Sequence, residues 1–282
     1  MSKKTFIAVF LFIFIGEKNK SVLCVFVSMK LIYNSTFTVK VLASISSVIS
    51  ENLALKKLTK SSSVFHNNNT WHSSLMVDGD ANPFADLGHC FHSDDWPGGP
   101  NWVVVDLADD YYVDRVNLYS RDRCPERLDY FIIGLTSVNY SAIPRGIYPL
   151  CGQYKYKAVV RSKLKLKCNA NLPSYRYVIS QQPADGVGWL TICELEVYEA
   201  RNLNSKVWSR KMNHKLIGYT SHEMVTNRLL KCLSSCVPGL CHSVNFKHEE
   251  SICQLNQHLF GYPQTALNNN TGGWSFYEVY YA

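Results

Sequence analysis

Trp102-Val-Val-Val-Asp-Leu-Ala-Asp-Asp-Tyr-Tyr-Val-Asp-Arg-Val-Asn-Leu-Tyr119 decides the fold class. It holds two short β-rich runs, Trp102 to Leu107 and Val113 to Tyr119, joined by an acidic turn cluster with no helical period between them. Outward from it, similar runs occur at Tyr130 to Leu135, Tyr154 to Val160, Tyr175 to Ile179 and Cys193 to Tyr198. Several short strands without intervening helices predict a sandwich or barrel over residues 51–199. Lys163-Leu-Lys-Leu-Lys167 alternates with period two, which turns the leucines to the core and the lysines to water. Those lysines are read as a solvated strand face in preference to a heparin patch.

Farther out the text changes twice. Around Glu199 to Ser205 it turns polar, and we place a boundary there, with a second module over 205–282. In that module Glu223 to Cys236 places Met224, Leu229, Leu230 and Leu233 on one helical stripe and predicts a helix that Pro238-Gly239 ends. Cys241 to Phe246, Ser251 to Leu255 and Trp274 to Tyr280 read as strands, so this part is one helix on a small sheet. Toward the N-terminus, Lys3-Lys4 before the apolar run Phe6 to Ile15 has the form of a secretory signal over 1–16, with 17–50 a linker or pro-segment. Joining that run to the apolar stretch Ser21 to Tyr33 would put Glu17, Lys18 and Lys20 in hydrocarbon, so no membrane span is expected. A signal anchor is the competing reading.

Composition fits export. The chain has 282 residues and is 46% hydrophobic and 18% charged, which excludes a disordered chain. Its net charge of +7 divides into +5 over residues 1–50, −2 over 51–200 and +4 over 201–282, so the central segment offers no basic face for nucleic acid. Ten cysteines, of which Cys24 lies in the leader region, leave nine, an odd number. In a secreted chain they read as disulfides with one thiol over, and four bridges among eight cysteines allow about 105 pairings. Acceptor sequons at Asn68, Asn139 and Asn269 agree with a glycoprotein.

Several blocks carry a family resemblance. Asn52-Leu-Ala-Leu55, Val77-Asp-Gly-Asp80, Gly88-His-Cys-Phe-His92, Trp102 to Leu107, Ser120 to Arg127 (SRDRCPER) and Ile192 to Tyr198 (ICELEVY) together resemble the fucolectin branch of the discoidin-like, F5/8 type C domains. The tail, with Cys232-x3-Cys236-x4-Cys241, Ser243 to Phe246 and Cys253-Gln-Leu255, is similar to a PAN/apple module. The resemblance implies a mainly β protein, a discoidin-like jelly-roll β-sandwich followed by a small α+β PAN/apple module. It implies sugar-binding donors at His92, Arg121 and Arg127, and calcium held by Asp78, Asp80 and Glu194 with backbone oxygens of Leu75, His89 and Cys193. It also implies disulfides Cys90–Cys193, Cys151–Cys168, Cys232–Cys253 and Cys236–Cys241.

The chemistry of these residues agrees. A fucose needs several convergent donors beside a small apolar patch, and arginine presents its donors in a fixed planar fork. A calcium ion takes six to eight oxygens, which carboxylates around the permissive Gly79 could begin to supply. Zinc at His89-Cys90-x-His92 is set aside because Cys90 is wanted for a bridge. The chain departs from the family at Arg121-Asp-Arg-Cys-Pro-Glu-Arg127, one residue shorter and with one cysteine in place of two. The flat vicinal disulfide that packs against the sugar cannot form, and Cys124 becomes the candidate leftover thiol.

The expectation is a secreted, calcium-dependent lectin for fucosylated glycans, its PAN-like part offering a second contact to extracellular proteins, with homo-oligomers left open. The alternative is a matrix or adhesion protein that presents Trp96, Tyr119 or Tyr130 to a protein without binding sugar. An enzyme is not expected, since Gly-x-Ser-x-Gly, P-loop and His-Glu-x-x-His signatures are absent and Asp94-Asp95 and Asp109-Asp110 read as solvated turns.

Overall fold

The computed structural model describes residues 9–12, 24–27, 41–43, 51–95, 100–139 and 148–282. The first 50 residues form a unit separate from 51–282. Three short strands are described there, β1 (Val9–Phe12), β2 (Cys24–Val27) and β3 (Val41–Ala43), paired antiparallel in that order. The rest of the expected signal and linker, and Trp96, lie outside the described residues. Among the described residues no helix is long and apolar enough to cross a membrane.

Residues 51–199 supply β4 (Leu58–Ser61), β5 (Phe91–His92), β6 (Trp102–Tyr111), β7 (Val113–Tyr119), β8 (Ile132–Thr136), β9 (Leu150–Gln153), β10 (Lys163–Lys167), β11 (Tyr175–Gln181), β12 (Thr191–Ile192) and β13 (Glu194–Glu199). Five of them form an antiparallel sheet in the order β4-β6-β11-β8-β9, three form a second, β10-β7-β13, and β12 pairs with β5. Alternation along β6 buries Val103, Val105 and Leu107, which meet Ile133, Leu135 and Val178 of the same sheet. Facing them in the same core are Val116, Leu118, Leu164, Leu166, Leu195 and Val197 of the three-stranded sheet. Each such side chain contributes about 1.5 to 3 kcal/mol by leaving water. On β10 the leucines are buried and the lysines exposed, as the period-two pattern requires.

Two strand expectations need correction. The run Tyr154 to Val160 is a loop, and the edge strand is β9 just before it. Beyond Gln153 the backbone donors turn to other loops: Ala158 N–H donates to Asp129 Oδ1 at 2.6 Å and Arg161 N–H to the Arg121 carbonyl at 3.0 Å. The run beginning at Trp102 continues past Leu107 to Tyr111. Arg176 clamps Asp106 with two bonds of 2.7 and 2.8 Å where the β6–β11 register shifts. Asp109 and Asp110 are exposed at that end.

Gly134 of β8 lies directly under the buried Tyr148 ring, and a Cβ there would fall inside that ring's van der Waals envelope. Gly134→Ala is expected to destabilise the protein by about 1 to 3 kcal/mol through overpacking. Denaturant melts check this; an unchanged midpoint would contradict it.

The C-terminal part has its own antiparallel sheet. Its strands are β14 (Lys206–Met212), β15 (Lys215–Leu216), β16 (Thr220–Val225), β17 (Ser243–Lys247), β18 (Ile252–Asn256), β19 (Leu267–Asn268) and β20 (Trp274–Tyr281). Five pair as β14-β20-β17-β18-β16, and β15 pairs with β19. The helix is shorter than the sequence pattern suggests: α1 spans Leu229–Ser234, while Met224 belongs to β16 and pairs with Cys253. Thr226 separates them, its hydroxyl accepting from Arg228 N–H at 3.2 Å, a local bond that competes with helix. Of the two cysteines expected on the helix only Cys232 is there; its bridge reaches β18, and Cys236–Cys241 closes the loop between α1 and β17.

Candidate functional site

His92 ends the two-residue strand β5 opposite Thr191 of β12, and the Cys90–Cys193 disulfide adjoins the other end of the pair, two residues from His92 and from Thr191. Arg127 lies in a single 3-10 turn, Pro125–Leu128, that Cys124 enters with a left-handed φ of 52°. Three chain segments far apart in sequence thus meet at one guanidinium. Arg127 Nη1 donates to His92 Nε2 at 2.5 Å and to Thr191 Oγ1 at 3.2 Å, and its Cζ lies 5.4 Å from the Trp189 ring centroid. His92 Nδ1–H donates to the Ser93 carbonyl at 2.6 Å, which leaves Nε2 as an acceptor. Burial lowers the His92 pKa to about 4; the Ser93 bond opposes this, and Arg127 and Arg121 add to it. The imidazole is therefore neutral at physiological pH. Burial likewise pulls Arg127 below its ordinary value.

Aromatic rings wall the imidazole: Phe65 stands 4.6 Å and Trp71 5.4 Å from it, centroid to centroid. Trp71 in turn packs against the Cys90–Cys193 disulfide.

The three expected sugar donors are not equivalent. His92 and Arg127 are in direct contact, but His92 is 4% exposed and orients Arg127 instead of offering a donor of its own. Arg121 comes near enough to influence the charge of both. Its guanidinium, however, is buried and committed to Asp86 at 3.0 Å, with Arg123 sharing the same carboxylate. Phe65, Trp71, Trp189 and Thr191 were not singled out from sequence, and only the closeness of Thr191 to the Ile192 to Tyr198 block offered a signal. Cys124 is free and half-buried.

The expected calcium residues lie on a neighbouring turn. Gly79 N–H donates to Glu194 Oε2 at 3.2 Å and Asp80 N–H to Asp78 Oδ1 at 2.8 Å, while the His89 ring pairs with Asp80 Oδ2 at 2.7 Å. Glu194 is buried and its Oε1 has no hydrogen-bond partner. Burial, with Asp78 and the neighbouring Glu196 and Asp80 adding, pushes Glu194 up to about 8. Among the described residues no three His, Cys, Asp or Glu side chains gather closely enough to hold a metal by themselves. Any cation here needs backbone oxygens as well. Disulfides join Cys90–Cys193, Cys151–Cys168, Cys232–Cys253 and Cys236–Cys241. Of the aromatics considered for protein contact, Tyr119 is occupied by Glu196 at 3.0 Å, and Tyr130 is exposed.

Fold and site together define a β-sandwich with one guanidinium oriented by a buried imidazole and flanked by aromatic rings. No family model and no curated protein matches the chain. Among solved structures it is similar to a Streptococcus pneumoniae fucose binding module, 25% identical over 53% of this chain and 96% of that one, TM-score 0.42. The lectin domain of lectinolysin complexed with Lewis b antigen is 21% identical over 54% and 99%, TM-score 0.42. A fucolectin from striped bass (Morone saxatilis) serum is 15% identical over 83% and 94%, TM-score 0.46. These three are lectin or sugar-binding modules, not enzymes.

Proposed function

We propose that the protein is a secreted carbohydrate-binding protein that recognises fucose-type glycans at Arg127. The observation that carries this reading is the Arg127 guanidinium, oriented by His92 and Thr191 and set beside Trp189, with Phe65 and Trp71 packed against the His92 ring that orients it. Its remaining N–H groups suit vicinal hydroxyls, and the rings suit the apolar methyl of a deoxy sugar. A glycan array probed with the purified protein tests the reading. Signal confined to fucosylated glycans supports it, and a folded protein that binds no glycan refutes it. The engagement of Arg121 by Asp86 favours the alternative of a protein-binding sandwich, which that second result would select.

Calcium fits the neighbouring turn. Glu194 Oε1, buried and without a partner, is the oxygen a hard cation would satisfy, with Asp78, Asp80 and backbone oxygens of Leu75, His89 and Cys193 completing the set. When bound, the ion would supply positive charge that lets Glu194 ionise and braces this turn against β13. The sign follows from a folded pKa of about 8 against an ordinary 4.5. Without metal, ionising Glu194 costs nothing extra below 4.5, and stability falls as pH rises from there through about 8. The melting temperature is expected to decline over that interval in chelator, and calcium to raise it and flatten the decline. Identical curves with and without calcium would contradict the site.

A further inference from the structure

A cleft of about 270 Å³ opens between the sandwich and the C-terminal sheet, and Arg127, His92, Thr191 and Trp189 are not in its lining. Its walls are fixed to each other. Asn169 Nδ2 donates to the His242 carbonyl at 2.6 Å, Asn171 Nδ2 to the Cys236 and Cys241 carbonyls at 3.2 and 2.8 Å, and Leu150 N–H to the Leu259 carbonyl at 2.8 Å. The cleft is thus a built feature of one compact unit.

Its charge is unbalanced. Lys163 and Lys167 of β10 are engaged, the first with Glu196 at 2.6 Å and the second with the Tyr281 carbonyl at 2.6 Å and Asp114 at 3.5 Å. Lys165 between them lines the cleft, as does Lys155, and among the described residues neither has a carboxylate within ion-pair distance. The one carboxylate in the lining, Glu278, is already occupied: Tyr262 and Tyr280 hydroxyls donate to it at 3.0 and 3.2 Å, and Lys211 stands 3.8 Å away. Burial, with Lys155 adding against Glu278, lowers Lys211 to about 8, as expected where cations crowd without enough counter-charge.

Two further features point to a ligand. His242 is 1% exposed and lines the cleft; its Nδ1 accepts from His258 N–H at 3.1 Å, so the ring proton is on Nε2, which has no acceptor. Tyr156 carries a lining ring that is 67% exposed and is propped edge-on by Tyr154, itself stacked on Phe131. A donor without an acceptor, two cations without anions and a bare ring complement a molecule that bears acceptors, negative charge and an apolar face.

We propose that this cleft binds an acidic sugar, a pyranose carrying a carboxylate or a sulfate, with Lys155 and Lys165 facing the anionic group and Tyr156 the sugar ring. Calorimetric titration of the full chain with glucuronic acid, glucose 6-sulfate and neutral methyl glucoside tests it. Saturable binding of either acid, weakened by salt and absent for the neutral sugar, is expected, and which acid binds identifies the anionic group. Lys155→Ala/Lys165→Ala should weaken it at least about tenfold at unchanged melting temperature, since each charge contact at the surface is worth several-fold. Tyr156→Ala, at an exposed ring, should weaken it severalfold, and Arg127→Ala should leave it intact. The proposal is overturned if neither acid binds, if the neutral sugar binds as well, if the double lysine variant binds like the parent, or if Arg127→Ala abolishes binding.

Discussion

Arg127→Ala is expected to lower affinity for a fucosylated glycan by about a hundredfold or more, because hydrogen bonds from a charged group contribute about 1.5 to 3 kcal/mol each and at least two are lost together. The substitution also leaves the buried His92 Nε2 and Thr191 Oγ1 without their donor, so the melting temperature should fall, and a check that the variant is still folded at the assay temperature accompanies the measurement. Arg127→Lys should fail almost as badly. An ammonium keeps the charge, but once its single nitrogen serves His92 Nε2 and Thr191 Oγ1, as Nη1 does here, it has no second nitrogen held in a fixed plane to face a ligand. His92→Ala should act through Arg127: with its acceptor gone the guanidinium loses its fixed direction, and binding falls without any direct sugar contact being deleted. Surface plasmon resonance on immobilised fucosyl glycan measures all three. An Arg127→Ala protein that binds like the parent would remove the site from consideration.

The second large effect concerns the Cys90–Cys193 bridge, which closes a loop of sequence separation 103. Replacing both cysteines by serine is expected to cost about 2 to 5 kcal/mol, near the upper end because the constrained loop is long. The loss should also appear in binding. The bridge adjoins the β5–β12 pair that sets His92 opposite Thr191, and it supports Trp71, whose edge meets the imidazole. Denaturant melts with parallel binding assays should therefore show both stability and affinity reduced. Replacing Cys151 and Cys168, which close a loop of separation 17, should reduce stability less. Equal losses from the two replacements would contradict the loop argument.

The sandwich was readable from sequence wherever one face of a strand is buried and the other wet. Trp102 to Leu107 and Lys163 to Lys167 show this, because a period of two survives in the text when each side chain has one destination. Legibility failed where backbone donors choose loop partners, as after Gln153, and where an apolar stripe crosses an element boundary. Met224 and Leu229 fit one helical stripe but belong to β16 and α1. In the site, Arg127 and His92 were reached through family resemblance. Their partners Thr191 and Trp189 were not, since contacts between residues 64 and 62 positions apart leave no local pattern. The ion pair of Arg121 with Asp86, which engages one of the expected donors, is likewise a tertiary fact with no trace in the spacing.

The central claim is that a sugar's hydroxyls engage Arg127, whose Nη1 is bonded to His92 Nε2. The imidazole nitrogens of His92 report on that contact individually, and with a pKa of about 4 the ring stays neutral at neutral pH. Nitrogen-detected NMR during titration with a fucosylated trisaccharide at pH 7 should show a saturable shift of the His92 Nε2 signal while Nδ1, bonded to the Ser93 carbonyl, stays in place. A His92 Nε2 signal unmoved at saturating trisaccharide would contradict the account.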